Sequence, residues 1–281
     1  MSQDTHARSP GREPEEGHDV TKEVQHPPRR RRWWVVAAGL LVVLLAACAA
    51  FLGWALSPYP AEPAPLAAAE ENPDVRVRDA GDAVVLEPAR DATDTGVVFY
   101  PGARVEPEAY VASWAPVVAD TGVTVVIPRL RLNLAVFDAN RADSAVDAAP
   151  DVETWYVGGH SLGGAMAATY TGGDPAPEVA GLILWASYAT ESAGLDTRDD
   201  LRVLAVAGGR DGLTTPAEFE ENGRHLPESA ESVEVEGMNH AQFGAYGPQS
   251  GDGEAVLSDE AARAELAEVT GAFLAAGTGT R

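Results

Sequence analysis

The stretch Trp155-Tyr156-Val157-Gly158-Gly159-His160-Ser161-Leu162-Gly163-Gly164 decides how the rest of the chain is read. It begins as a buried strand, turns sharply at a serine and continues as a helix of small residues from Ala165 to about Tyr170. Gly159-His160-Ser161-Leu162-Gly163 matches G-x-S-x-G, the nucleophile elbow. The spacing has a steric origin. Lifting a serine Oγ off the end of a sheet needs a very tight turn, which crowds the positions two before and two after the serine, so a Cβ there would clash. Gly164 and Ala165 extend this by letting the helix pack close to the sheet.

Outward from this stretch, apolar strands alternate with helical patterns. Val75 and Val77 alternate with Arg76 and Arg78, and Ala83–Leu86 and Gly96–Tyr100 follow as strands. A helix is expected from Pro107 to Ala119, a strand over Val123–Ile127 and a helix from Ala142 to Ala148. Beyond the elbow, Leu182–Trp185, Val203–Ala207 and Ser232–Val235 read as strands. A short helix lies between Thr215 and Asn222, and a closing helix runs from Ala261 to Ala276. Near-continuous apolar strands alternating with helices imply an α/β fold, with a mostly parallel central sheet covered on both faces.

Upstream the composition changes twice. Residues 1–32 are polar, with seven Lys/Arg and six Asp/Glu, too few apolar residues to bury a core, and three scattered histidines. They read as a disordered cytoplasmic arm ending in Arg29-Arg30-Arg31-Arg32. Residues 33–56 are 24 residues without a charge, enough for a helix to span a bilayer, with Trp33, Trp34 and Trp54 near the ends. Four arginines precede this stretch and no Lys or Arg follows until Arg76. The positive-inside rule then puts the N-terminus in the cytoplasm and everything after Leu56 outside, a single-pass signal-anchor arrangement. Leu45-Ala46-Ala47-Cys48 also resembles a lipobox, which would make Cys48 a lipidated N-terminus, and a cleaved signal peptide is the third reading. Residues 57–73 hold five prolines among Ala and Glu, a composition that favours an extended, semi-rigid spacer. Residues 74–281 are the expected globular domain.

The formal net charge of −23 argues against nucleic acid as a partner. The only lysine is Lys22 and the only cysteine Cys48, both before the globular part. That part therefore has no thiol nucleophile and no Ser–Lys dyad. Its three histidines, His160, His225 and His240, are not spaced as metal ligands, so neither metal nor cofactor is expected.

Residues from about 75 to 276, with the elbow at their centre, resemble a compact alpha/beta-hydrolase domain. The likeness is to the dienelactone-hydrolase-like and alpha/beta hydrolase fold-5 groups. It implies a serine nucleophile followed in chain order by Asp or Glu and then His. Asp211 stands just after Val203–Ala207, at a strand's carboxyl end, and Glu236 is the rival acid. Among the histidines, His160 adjoins Ser161 and cannot easily fold back onto it, and His225 lies in a polar helix end. His240, in the loop after Ser232–Val235, is left as the base, and the segment after it also resembles the family's. The resemblance implies two backbone donors for an oxyanion, Leu162 N–H and one from Tyr100-Pro101-Gly102-Ala103. Many relatives have His-Gly there. Pro101 has no N–H, so Ala103 is the first choice and Gly102 the second.

The expectation is a membrane-anchored, extracytoplasmic serine hydrolase with Ser161, Asp211 and His240, acting on a small ester-like substrate through an acyl-enzyme. Activity should then rise with pH as His240 loses its proton. Acyl transfer to an alcohol by the same residues is the rival within enzymes, and a non-catalytic hydrolase-like binding domain the rival outside them. Trp114, Trp185, Tyr188 and Phe243 fit a core better than a substrate pocket. Neither the acyl group nor the oligomeric state is legible.

Overall fold

The computed structural model describes residues 29–173, 175 and 178–278, and divides after Cys48 into two units. The arm expected over residues 1–32 lies outside the described residues except for Arg29–Arg32, which open the first helix, α1 (Arg29–Ala55). Its stretch Trp33–Ala55 is long and apolar enough to cross a membrane.

The second unit is built on one eight-stranded sheet, in the order β1-β2-β4-β3-β5-β6-β7-β8. The strands are β1 (Val75–Asp79), β2 (Ala83–Pro88), β3 (Thr95–Tyr100), β4 (Thr124–Pro128), β5 (Thr154–His160), β6 (Val179–Trp185), β7 (Arg202–Gly208) and β8 (Glu231–Val235). β1 pairs with β2 and β2 with β4 in antiparallel fashion, and every pairing from β4 to β8 is parallel. The mostly parallel sheet read from the sequence is therefore present, with an antiparallel edge. Helices α3 (Val111–Thr121) and α7 (Asp259–Thr278) pack on one another, while α5 (Leu162–Gly172) packs on β5 and β6.

The apolar runs are continuous because both faces of the sheet are covered. Val97 and Phe99 enter one core cluster with Trp114, Leu266 and Phe273, whereas Val98 and Tyr100 enter the other with Val157, Ala167 and Leu184. Each such valine or leucine contributes about 1.5–3 kcal/mol by leaving water. Trp114 and Trp185 stack at 4.7 Å with Phe99 edge-on, and both indoles and Phe243 are fully buried; Tyr188 is half-buried. The aromatics expected as core are core at three of the four positions.

The Pro-rich segment departs from the extended spacer. Pro63–Glu70 forms helix α2, with Pro63 at its first position, where a helix has no use for the missing N–H, and Ala67–Ala69 behind it. Helix α2 packs on α3 and β1. The residues before it are also tied down: Tyr59 exchanges backbone hydrogen bonds with Arg104 and Glu106, and Glu62 N–H donates to Ala245. These residues therefore belong to the fold. A chain starting at Ser57 should fold as the full chain does, whereas one starting at Pro63 loses four backbone hydrogen bonds, the fourth being Leu66 N–H to Glu62 O, about 4 kcal/mol. Thermal unfolding of the two fragments checks this; equal midpoints would contradict it.

Candidate active site

β5 ends in the elbow, and Ser161 takes φ 53° and ψ −125°, a conformation that is strained for a side chain with a Cβ. The predicted crowding is present: a Cβ on Gly159 would meet Gly163 C at 2.4 Å, and one on Gly163 would meet Tyr100 O at 2.3 Å. Ser161 N–H donates to Trp185 O at the end of β6, and Ser187 Oγ donates to Ser161 O at 2.8 Å. Backbone bonds thus hold the strained turn, leaving the partly exposed side chain free of that task. α5 begins at Leu162, three residues earlier than the helix expected from Ala165, so the Leu162 N–H lies in its first turn, the positive end of its dipole.

Asp211 follows β7 and His240 follows β8, two neighbouring parallel strands. Their side chains are buried and meet at 2.8 Å, Asp211 Oδ2 to His240 Nδ1. Asp211 Oδ1 accepts the N–H groups of Leu213 and Thr214, at 2.8 and 2.7 Å, which fixes the carboxylate from behind. The loop after His240 is fastened by Ser113 Oγ, which donates to Phe243 O, and by Ala245 N–H, which donates to Ala109 O. Glu236, the rival acid, is exposed, and His225 sits in a short turn after α6 (Pro216–Asn222). Among the described residues no hydrogen bond joins Ser161 Oγ to His240, a contact that often tightens only when substrate binds. His160, the residue before Ser161, has its ring centroid 4.5 Å from that of His240.

The loop after β3 separates the two candidate donors there. Gly102 N–H donates to Tyr110 Oη at 2.8 Å, while Ala103 N–H has no partner among the described residues. Tyr110 Oη also meets His160 Nδ1 at 2.9 Å. Burial pushes the Tyr110 hydroxyl far above its usual range, so it keeps its proton. Its oxygen accepts from Gly102 and its proton is available to His160 Nδ1, an arrangement in which neutral His160 carries its own proton on Nε2. Tyr110 had been legible only as the apolar face of a helix, since nothing local ties it to Gly102 or to a histidine fifty residues on.

Burial, helped by repulsion from His240, holds His160 well below the ordinary histidine value of 6.5. An approach to the His240 backbone works weakly the other way, although Nε2 is left without a hydrogen bond. Folding therefore disfavours the charged form, and the unfolded chain takes up this proton first. The His160 contribution to stability is complete above pH 6.5 and is lost as the pH falls below it. Thermal midpoints of wild type and His160→Gln, compared from pH 7.5 to about 5, should show the steeper decline in wild type. Parallel curves would contradict a buried neutral imidazole.

A cavity of about 460 Å³ on the segment between β4 and β5, which carries the short helix α4 (Ala142–Ala145), is lined by Arg131, Phe137, Asp138 and Arg141 among others and includes none of Ser161, Asp211 or His240.

The same architecture occurs in solved structures. It is similar to the esterase domain of a Rhodothermus marinus protein, with 14% identity over 69% of this chain and 92% of that one and a TM-score of 0.52. A thermostable esterase from Pseudomonas putida ECU1011 matches with 16% identity over 77% and 89% of the two chains and a TM-score of 0.54. A hyperthermophilic esterase from the archaeon Pyrobaculum calidifontis matches with 17% identity over 80% and 91%, again with a TM-score of 0.54. At such identities the likeness shows the fold alone. No curated protein matches the sequence. The model of the alpha/beta hydrolase family matches residues 96–264, more than half of the chain, from the start of β3 into α7 and across Ser161, Asp211 and His240. With its elbow, strand order and family match, the chain belongs to the alpha/beta hydrolase family.

Proposed function

We propose that the protein is a serine hydrolase of small carboxylic esters that works through an acyl-enzyme. The observation that carries this reading is the buried 2.8 Å bond between Asp211 and His240, at the same carboxyl edge of the parallel sheet as the strained Ser161. In this reading Ser161 Oγ attacks the ester carbonyl carbon while His240 Nε2 takes the hydroxyl proton. Asp211 accepts the His240 Nδ1–H, which presents the Nε2 lone pair to the serine and stabilises the imidazolium. The oxyanion is held by the N–H groups of Leu162 and Ala103. The free Ala103 N–H favours it over Gly102, whose N–H is already given to Tyr110. His240 then protonates the departing alkoxide, leaving the acyl group on Ser161. Water attacks that ester, His240 takes its proton and returns it to Ser161 Oγ, and the acid leaves. None of these steps uses a cofactor. An alcohol in place of water would turn the same residues to acyl transfer.

The second part of the proposal is location. Residues 33–56 form the membrane anchor, with the arginines of residues 29–32 on the cytoplasmic side and the hydrolase domain outside; the uncharged length of Trp33–Ala55 supports this. Lipid attachment at Cys48, which is exposed, is the alternative means of tethering.

The test of the chemistry is rapid mixing of the full chain in detergent with a nitrophenyl ester of a short acid. A burst of nitrophenol equal to the enzyme concentration, then slower turnover, is the expected signature of an acyl-enzyme. Absence of both burst and turnover across acyl lengths would overturn the reading.

A further inference from the structure

Asp252 lies in the loop between the short turn at Ala241–Phe243 and α7. Its half-buried carboxylate accepts four backbone N–H groups. Oδ1 takes those of Gly212 at 3.1 Å, His240 at 3.1 Å and Gly253 at 2.7 Å, and Oδ2 takes that of Ala241 at 2.9 Å. Gly212 directly follows the proposed acid, and His240 is the proposed base. One carboxylate therefore joins the main chains of two loops that issue from different strands.

The rest of the Asp252 loop is fitted for this contact. Asn239 Nδ2 donates to Gly253 O at 2.8 Å, a return bond from the base loop. A Cβ on Gly253 would fall 1.9 Å from Arg210 O, so the loop lies flush against the acid loop. Before the Asp211–His240 pair the two loops are already joined by Arg210 N–H donating to Met238 O at 2.8 Å. Asp252 supplies the tie just beyond the pair.

We propose that Asp252 is a positioning residue, which sets the separation of Asp211 and His240 by clamping the backbones that carry them. The proposal deepens the hydrolase reading and rests on it. A hydrogen bond between two side chains fixes a catalytic ring only as well as the two main chains are fixed, and misplacement by about 1 Å can cost about 100-fold in rate. The clamp needs a carboxylate. Both oxygens of Asp252 receive N–H groups, and an asparagine amide of the same shape would turn its own N–H₂ toward at least one of those donors. The charge also strengthens every bond to it.

The test uses the full chain in detergent with Asp252→Asn. A variant that remains folded should lose about 100-fold in kcat with KM within about twofold, because the interaction acts on the reacting groups and not on ester binding. In the proton spectrum the downfield His240 Nδ1–H resonance should broaden or disappear. Wild-type kcat with that resonance unchanged would overturn the proposal, as would a loss carried by KM alone. If the variant does not fold, amide exchange of the wild type decides: slow exchange at Gly212, His240 and Ala241 supports the clamp, and rapid exchange there refutes it. A folded wild type that fails to react with a fluorophosphonate sinks the hydrolase reading instead, and the resonance and the exchange rates still test the clamp.

Discussion

His240→Ala should lower kcat by about 10⁶-fold, as removal of the base does in other serine hydrolases. A serine hydroxyl is a weak nucleophile, and in the proposed reading His240 takes its proton. His160 is closest in sequence, but its Nδ1 faces the Tyr110 hydroxyl and burial keeps it from gaining a proton. His225 belongs to the turn after α6 and serves as the control, with His225→Ala expected to change kcat by less than about threefold. Steady-state assay of both variants on a short-chain ester is the check. His240→Ala activity within tenfold of wild type would remove His240 from the role of base.

Asp211→Asn should cost about 10⁴-fold in kcat while leaving the fold intact. The side-chain oxygen of asparagine can still accept from Leu213 and Thr214, which leaves its N–H₂ facing His240 Nδ1. Nδ1 must then be the acceptor, which moves the imidazole proton to Nε2, where it can no longer receive one from serine. The variant would be a well-packed protein with the wrong tautomer. Glu236→Gln is the companion measurement: Glu236 is exposed, and its neutralisation should alter kcat by less than about twofold. A reversed order of the two effects would move the acid role to Glu236.

Most of the architecture was legible because its signals are local. β3, β6 and β7 are apolar runs with both faces covered, and the elbow announces itself through glycines that a Cβ would drive into neighbouring backbone. The chain order of serine, acid and base, with strand ends beneath each, marked residues that the fold then placed together at Asp211 and His240. What was not legible is long-range or depends on a single position. The prolines of residues 57–73 read as an extended spacer because composition does not say that Pro63 stands at a helix's first position. Tyr110, Gly102 and His160 come from a turn before α3, the loop after β3 and the end of β5, and only the fold makes them one hydrogen-bonded chain. Asp252 lies in Gly251-Asp252-Gly253, which by itself signals a turn; its reach to Gly212 and His240 exists only once β7 and β8 are neighbours.

The measurement that bears most directly on the central claim is covalent labelling of the full chain by a fluorophosphonate, with Ser161→Ala in parallel and the site mapped by peptide mass. The hydrolase reading predicts one adduct per chain, on Ser161, absent from the variant and formed far more slowly in His240→Ala. A folded wild type that takes no label, or that is labelled equally well without Ser161, would contradict it.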